Sequence, residues 1–174
     1  MKKYFAAGML LILFSCNNTQ QKNDPVAADS TATSQKNVSA VKLVDAKAQA
    51  IYDDYINLKN SLVATKYTDA QQSAAKLKVS LANYPGCENT ALIAGKISGA
   101  KDIVEQRKEF TLLSSDVIAM FKHAEINGGS IYVQHCPMAN NGNGGDWLSS
   151  DKKIQNPYYG DEMMECGAVL ETIN

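Results

Sequence analysis

The chain has 174 residues, 45% of them hydrophobic and 20% charged, and its formal net charge is −1. Such a length suits one domain of moderate size together with a flexible segment. Because acidic and basic residues are almost balanced, no basic surface is expected, and we predict no nucleic-acid partner.

The N-terminus is typical of an export signal. Lys2 and Lys3 form a positive start, and an apolar stretch follows at residues 5–14. That stretch is too short to cross a bilayer of about 30 Å as a helix. It ends in Leu13-Phe14-Ser15-Cys16, which resembles a lipobox. We therefore predict a signal peptide at residues 1–15 and acylation of Cys16, which becomes the new N-terminus. The alternative is an ordinary secretory signal with an incidental cysteine.

Residues 16–40 are predicted to be the lipidated cysteine followed by a flexible tether. They contain almost no large apolar side chain. Such a segment cannot bury enough surface to offset the entropy lost when it becomes ordered. No acidic cluster follows Cys16. We therefore expect a lipid-anchored protein of the cell envelope, held in the outer membrane and facing the periplasm.

Residues 41–174 are predicted to form one domain that begins with four amphipathic helices. Apolar residues recur mostly at spacings of three and four, the pattern of a helix face. In chain order the four sets are Val41, Val44, Ala48, Ile51, Tyr55, Leu58 and Leu62; Ala70, Ala74, Leu77 and Leu81; Leu92, Ile93 and Ile97; and Ile103, Val104, Phe110, Leu113, Val117, Met120 and Phe121. Because the links between them are short, we predict a mainly α fold, a four-helix up-down bundle.

Local signals indicate where these helices start and stop. They are a capping box at Thr68-Asp69-Ala70-Gln71, the breakers Tyr84-Pro85-Gly86, a weak point at Gly99 and a stop at Asn127-Gly128-Gly129. Two polar residues of the fourth helix are interpreted as structural. Arg107 is taken as a snorkelling or ion-paired residue at the bundle edge. His123 is taken as a cation favoured by the helix dipole.

The C-terminal segment, residues 130–170, is predicted to be irregular and rich in Gly, Cys and Met, with a short strand or hairpin. Two sulfur clusters about thirty residues apart lie in it, namely His135-Cys136-Pro137-Met138 and Met163-Met164-Glu165-Cys166. Thiolates and thioethers are soft donors, which select Cu(I) over hard ions. We therefore predict a copper(I) or similar soft-metal site whose candidate ligands are Cys136, Met138, Met163, Met164 and Cys166, with His135 as a spare nitrogen donor.

Three other interpretations of the sulfur clusters stay open. A disulfide between Cys136 and Cys166 suits an oxidising compartment. Alternatively, the methionines only fill gaps in a small core. Zinc is the third alternative, although methionine is a poor ligand for it. At most two of the three cysteines that remain after lipidation of Cys16 can pair within the chain, and Cys87 is expected to be a free, partly buried thiol.

Catalysis is not expected. The chain has no C-x-x-C motif, and its two histidines suggest no catalytic triad. The run Gly142-Asn143-Gly144-Gly145 lacks the Lys-Ser/Thr that completes a phosphate-binding loop. Residues 140–146 carry oxygen donors without the acidic alternation of an EF-hand, and we predict a mobile loop there.

The C-terminal motifs resemble those of a known group of proteins. They are Tyr132-Val133-Gln134-His135-Cys136-Pro137-Met138-Ala139, Trp147-Leu148-Ser149, Ile154-Gln155-Asn156-Pro157-Tyr158-Tyr159-Gly160 and Met164-x-Cys166-Gly167. Together they resemble an uncharacterised domain of Bacteroidota lipoproteins, which is also found fused to periplasmic adaptor subunits of heavy-metal RND efflux systems. The resemblance covers about residues 43–170. It implies an association with copper or silver efflux, and it carries over to Cys136, Met138, Met164 and Cys166.

The sequence therefore predicts a non-enzymatic periplasmic lipoprotein that binds copper(I) or a similar soft metal. Its expected role is to buffer the metal or deliver it to an efflux adaptor. The membrane, reached through the lipid anchor, and a heavy-metal efflux adaptor are the candidate partners. The alternative is a structural or interaction module with a Cys136–Cys166 disulfide and no metal.

Overall fold

The computed structural model describes residues 41–174. The predicted signal peptide, the lipidation site Cys16 and the tether at residues 16–40 lie outside the described residues. Four helices come first in the chain: α1 (Ala46–Val63), α2 (Tyr67–Ala82), α3 (Glu88–Gly99) and α4 (Ile103–Phe121). The strands are β1 (Lys42–Leu43), β2 (Ile126–Gly128), β3 (Ile131–Cys136), β4 (Gly145–Ser149) and β5 (Ala168–Ile173).

The mainly helical class is confirmed. Helix α1 packs on α2, α2 on α3 and α3 on α4, so each helix contacts its neighbour in the chain, while α4 also packs on β4. None of the described helices is long and apolar enough to cross a membrane. The up-down bundle arrangement stays a prediction.

Helix α1 begins later than its apolar pattern predicts. Val41 and Val44 continue the spacing of three and four, but the helix starts at Ala46, and Val44 is 62% exposed. The side chain of Asp45 caps the helix by accepting hydrogen bonds from the backbone N–H groups of Lys47 and Ala48, which lowers the pKa of its carboxyl group. These capping bonds fix the first helical residue more strongly than the apolar spacing does.

The start of α2 also corrects the sequence prediction. The prediction of a capping box at Thr68 is wrong. The helix starts at Tyr67, and the residue before it, Lys66, makes no side-chain capping bond. The Tyr67 hydroxyl instead donates to the backbone oxygen of Ala100, and Gln71 donates to the Tyr67 hydroxyl. The first turn of α2 is thus tied to the end of α3 by tertiary side-chain bonds, without a local capping motif.

The end of α4 differs for a similar reason. The helix ends at Phe121, six residues before the predicted stop, and Val104 on the predicted apolar stripe is 70% exposed. The segment Ile126–Gly128 is strand β2, which pairs antiparallel with β1 so that Lys42 faces Gly128. This pairing joins residues more than eighty positions apart, so the local sequence pattern does not predict it.

The C-terminal segment is more regular than predicted. Strands β4, β3 and β5 form an antiparallel sheet with β3 in the centre. Tyr132 faces Ser149 across the β3–β4 pair, and His135 faces Ala168 across the β3–β5 pair. The predicted short strand or hairpin is thus confirmed as the β3–β4 pair, with a third strand added. The predicted mobile loop at 140–146 includes most of a short turn, Ala139–Gly142, whose central residues Asn140 and Asn141 have positive φ, and the start of β4; its mobility stays a prediction.

One buried tyrosine joins the helices to this sheet. The Tyr55 hydroxyl on α1 lies 2.7 Å from the Ser114 hydroxyl on α4, and it accepts a hydrogen bond from the backbone N–H of Leu148 on β4. Burial raises the pKa of Tyr55 far above its usual value, so the hydroxyl stays protonated. The Tyr55 ring stacks on Phe110, which in turn contacts Tyr158. Helices and sheet therefore share one core.

Candidate functional site

The structure brings Cys136 and Cys166 together. Cys136 is the last residue of β3, and Cys166 lies two residues before β5, the strand that pairs with β3. Because His135 faces Ala168 in this antiparallel pair, Cys136, which follows His135, and Cys166, which precedes Ala168, meet at the same end of the sheet. The two Sγ atoms are 2.9 Å apart, and both cysteines are free.

The backbone around Cys166 needs a glycine. Gly167 has φ +145°, and a Cβ at this position would lie 2.5 Å from the backbone oxygen of His135. The close approach of the two strands is what sets this distance. Gly167 thus lets Cys166 come near Cys136.

The thiols differ in their surroundings. Cys136 is buried and Cys166 is half-buried. The hydrogen bond between the Cys136 and Cys166 thiols is the largest cause that raises the pKa of Cys166, and burial adds to it. Cys166 is therefore a neutral thiol at physiological pH, and it must lose a proton before it can bind a metal.

A buried asparagine holds the loop that carries Cys166. Asn156 is fully buried, and its side-chain nitrogen donates to the backbone oxygen of Cys166 at 3.1 Å. Its backbone N–H donates to the Met164 oxygen at 3.0 Å, and its side-chain oxygen accepts from the Tyr158 N–H at 2.8 Å. In the sequence, Asn156 stands out only as a member of the motif that ends at Gly160. An asparagine directly before a proline is the signal that could have found it.

The three candidate methionines lie within three residues of one of the two cysteines along the chain. Met138 is two residues beyond Cys136, its side chain is 52% exposed, and its backbone oxygen accepts a hydrogen bond from the Tyr159 hydroxyl at 2.6 Å. Met163 and Met164 are half-buried in the stretch between the 3-10 turn Gly160–Glu162 and Cys166. Each methionine is thus close to one of the cysteines along the chain.

The side chain of His135 lies on the opposite face of the sheet from that of Cys136. Neighbouring residues of a strand point to opposite faces of the sheet. The Nδ1 atom of His135 lies 2.7 Å from a carboxylate oxygen of Asp146, the residue that faces it on β4. His135 therefore has a partner of its own, and the structure gives it no contact with the thiols.

The remaining donors around the cysteines are few. Within residues 41–174, no three or more His, Cys, Asp and Glu side chains converge closely enough to hold a metal ion. A metal at the Cys136–Cys166 pair would therefore complete its coordination with a methionine thioether or with solvent. Soft sulfur donors of this kind favour Cu(I) and disfavour the hard cations.

A second sulfur contact lies away from this site. The Cys87 Sγ, in the link between α2 and α3, is 4.0 Å from the Met120 Sδ on α4. Burial is the main cause that raises the pKa of the Cys87 thiol, with smaller contributions from Glu88 and Asp116. The prediction of a free, partly buried thiol is confirmed.

Comparison with known proteins gives one match. Residues 51–129 match the model of a family described as "Protein of unknown function (DUF3347)". The matched region covers most of α1, all of α2, α3 and α4, and β2, and it ends before both sulfur clusters. No curated protein and no solved structure matches the chain. A domain of uncharacterised type is thereby shown in the helical region.

Proposed function

We propose that this chain is a non-enzymatic lipoprotein of the cell envelope that binds one Cu(I) ion, or a similar soft metal ion, through Cys136 and Cys166. The observation that carries the proposal is the 2.9 Å separation of the two Sγ atoms, which come from segments thirty residues apart. Two thiols that meet at one point supply the soft donor pair that such an ion prefers.

The geometry requires a small movement for metal binding. Metal–sulfur bonds of about 2.3 Å hold two thiolates about 3.8 Å apart in a tetrahedral site. The sulfurs must therefore separate by about 1 Å from their position at 2.9 Å. Cys166 lies between the 3-10 turn and β5, outside regular structure, and is the member of the pair that can shift. Met138, Met163 or Met164 would supply the third donor.

Metal binding should release protons. Both thiols must ionise to become ligands, and the raised pKa of Cys166 makes its deprotonation unfavourable near neutral pH. Metal affinity should therefore rise with pH over the range in which Cys166 loses its proton. His135 is not included in our ligand set, because its Nδ1 faces Asp146.

The cellular context rests on the leader and on the resemblance. The lipobox-like sequence ending at Cys16 supports an anchor in the outer membrane that faces the periplasm. The resemblance to the domain fused to periplasmic adaptors supports a role in buffering Cu(I) or delivering it to a heavy-metal efflux adaptor. A half-buried Cys166 suits such delivery, since an acceptor thiolate can reach a metal bound to it.

A second candidate function follows from the same distance. A disulfide requires the sulfurs to approach to about 2.05 Å, a shift of about 1 Å in the opposite direction. The bond would close a loop of about thirty residues, and the chain-entropy relation gives about 3.7 kcal/mol of stabilisation. In an oxidising compartment the chain would then be a structural or interaction module. The metal-binding dithiol and the disulfide are two oxidation states of one site.

The test is an anaerobic Cu(I) titration, against a competing chelator, of the reduced chain that starts at residue 16 and carries Cys16→Ser. We expect about one Cu(I) per chain, and loss of this binding in both Cys136→Ser and Cys166→Ser. Cys87→Ser is the matched control and should bind like the parent. Stoichiometric copper retained by a Cys136→Ser/Cys166→Ser variant would contradict the proposal. Intact mass and alkylation without reductant measure the disulfide form.

A further inference from the structure

A cleft of about 500 Å³ lies beside α4. Its walls come from α4, from the helical turn Ala139–Gly142, and from the segment that includes Tyr159 and Glu162. This volume falls in the range of small-molecule sites, about 300–1,000 Å³. We refer to it as the Arg107 cleft.

Arg107 on α4 lines the cleft and is held in place by neutral groups. Its Nε donates to the backbone oxygen of Pro157 at 2.9 Å. Its Nη2 donates to the Leu62 oxygen at 3.1 Å and to the Thr65 hydroxyl at 3.0 Å. Within residues 41–174 no carboxylate lies within ion-pair distance of it. The guanidinium is therefore oriented by three bonds to neutral oxygens, and the Glu162 carboxylate acts on its charge only from beyond ion-pair distance.

The backbone is strained at the same place. Thr65, Asn140 and Asn141 are the only non-glycine residues with positive φ in the part of the chain that the structure describes. Asn140 and Asn141 line the cleft, and Thr65 accepts a hydrogen bond from Arg107. A β-branched residue such as threonine rarely adopts this conformation. Strain of this kind is characteristically retained at ligand sites, where the surrounding structure enforces it.

The charges of the cleft favour an anion. Lys108, which is exposed, joins Arg107 on one wall, and Glu162 supplies the one carboxylate among the lining residues. The walls also include apolar surface from Val104 and the ring of Tyr159. A ligand that fits has one negative group and an apolar body. Arg107 has donors left for such a group, since its Nη1 makes none of the three bonds above.

We propose that the Arg107 cleft binds a small molecule with a carboxylate group and an apolar or aromatic body. Arg107 anchors the carboxylate through its remaining donors, Lys108 attracts it at the mouth, and Tyr159 packs against the apolar part. Arginine suits this role because its planar donors match a carboxylate. The site is independent of the metal proposal, although the Tyr159 hydroxyl bonds the Met138 oxygen and so connects the two regions.

The test is an NMR titration of the reduced, metal-free chain that starts at residue 16 and carries Cys16→Ser. The probes are phenylacetate and octanoate, each compared with its primary amide, up to about 10 mM, where a ligand with a millimolar Kd saturates. We expect the two acids to shift the backbone N–H signals of Asn141 and Tyr159. The primary amides of the same acids should leave these signals unchanged. Because no metal is present, failure here leaves the Cu(I) proposal intact.

Two charge reversals identify the site. Lys108→Glu, an exposed substitution that should not disturb folding, should weaken acid binding roughly tenfold, since it replaces an attraction by a repulsion. Lys101→Glu is the matched control on the exposed link before α4 and should have no such effect. Acids that cause no shift, amides that bind as well as acids, or equal loss in both variants would each overturn the proposal.

Discussion

The most informative perturbation near the sulfur pair is Asn156→Ala. This residue is fully buried, and its side chain makes two hydrogen bonds, one to the backbone oxygen of Cys166 and one from the N–H of Tyr158. Its backbone bond to Met164 survives the substitution. The variant therefore removes only the side-chain tie between the Cys166 loop and the rest of the domain.

The expected cost follows from those two bonds. Alanine leaves the Cys166 oxygen and the Tyr158 N–H without their partner, and each lost buried bond costs about 1–3 kcal/mol. For the two bonds together we expect a total loss of about 2–6 kcal/mol in the free energy of unfolding. Groups that orient a metal ligand without touching the metal typically change affinity about 10–100-fold, and we expect a loss of Cu(I) affinity in this range.

Two measurements check this prediction. Urea denaturation of the reduced protein gives the free energy of unfolding. Competitive Cu(I) titration, at urea concentrations below the midpoint at which the protein unfolds, gives the affinity for Cu(I). Asn127→Ala is the matched control, because Asn127 is exposed on β2, which belongs to the two-stranded sheet and not to the sheet that carries the cysteines. If Asn156→Ala is no less stable than Asn127→Ala, or if its Cu(I) affinity equals that of the parent, then Asn156 does not position Cys166.

Three further substitutions test the fold and its pH dependence. Tyr55→Phe leaves the Leu148 N–H and the Ser114 hydroxyl without their partner, and urea denaturation should show a loss of about 1–3 kcal/mol. Burial lowers the pKa of Lys59 from 10.5 to about 8 against the attraction of Asp151. Because the unfolded chain then binds more protons than the folded one between these values, stability should rise from about pH 8 to 10.5, and Lys59→Met should flatten that rise in denaturation curves. Gly167→Ala places a Cβ 2.5 Å from the His135 oxygen, so thermal unfolding should show a clear drop in Tm, whereas Gly99→Ala, which has open space, should not.

The helices were the most predictable part of the fold. The residues Ala48, Ile51, Tyr55, Leu58 and Leu62 are buried in α1, as their spacing predicts. Ala70, Ala74, Leu77 and Leu81 are buried in α2 in the same way. Such periodicity reflects burial of one helix face, which is a local property of the sequence.

The helix ends and the small strands were less predictable because they depend on distant residues. Val41 and Val44 match the helix spacing, yet β1 forms here because it pairs with β2 near the end of the helical region. Tyr67, the first residue of α2, bonds through its hydroxyl to Ala100, thirty-three positions away. Neither contact can be predicted from the spacing of apolar residues along the sequence.

The candidate site was predicted by composition and not by geometry. Soft donors in two clusters identified Cys136 and Cys166, and the structure brings their sulfurs together. The role of Asn156 and the separate pairing of His135 with Asp146 depend on tertiary and cross-strand contacts that spacing does not reveal. Arg107 forms no direct ion pair within the described residues and instead donates to oxygens of Pro157, Leu62 and Thr65, which lie far from it along the chain, so its spacing could not reveal these partners.

X-ray absorption at the copper edge tests the central claim most directly. With one Cu(I) equivalent bound to the reduced chain, we expect at least two sulfur ligands at about 2.3 Å, a distance like that of other metal thiolates. The Cys136→Ser/Cys166→Ser variant should lose this signal, and Cys87→Ser should keep it. A coordination shell of nitrogen and oxygen alone, or one unchanged in the double variant, would contradict a metal site at the Cys136–Cys166 pair.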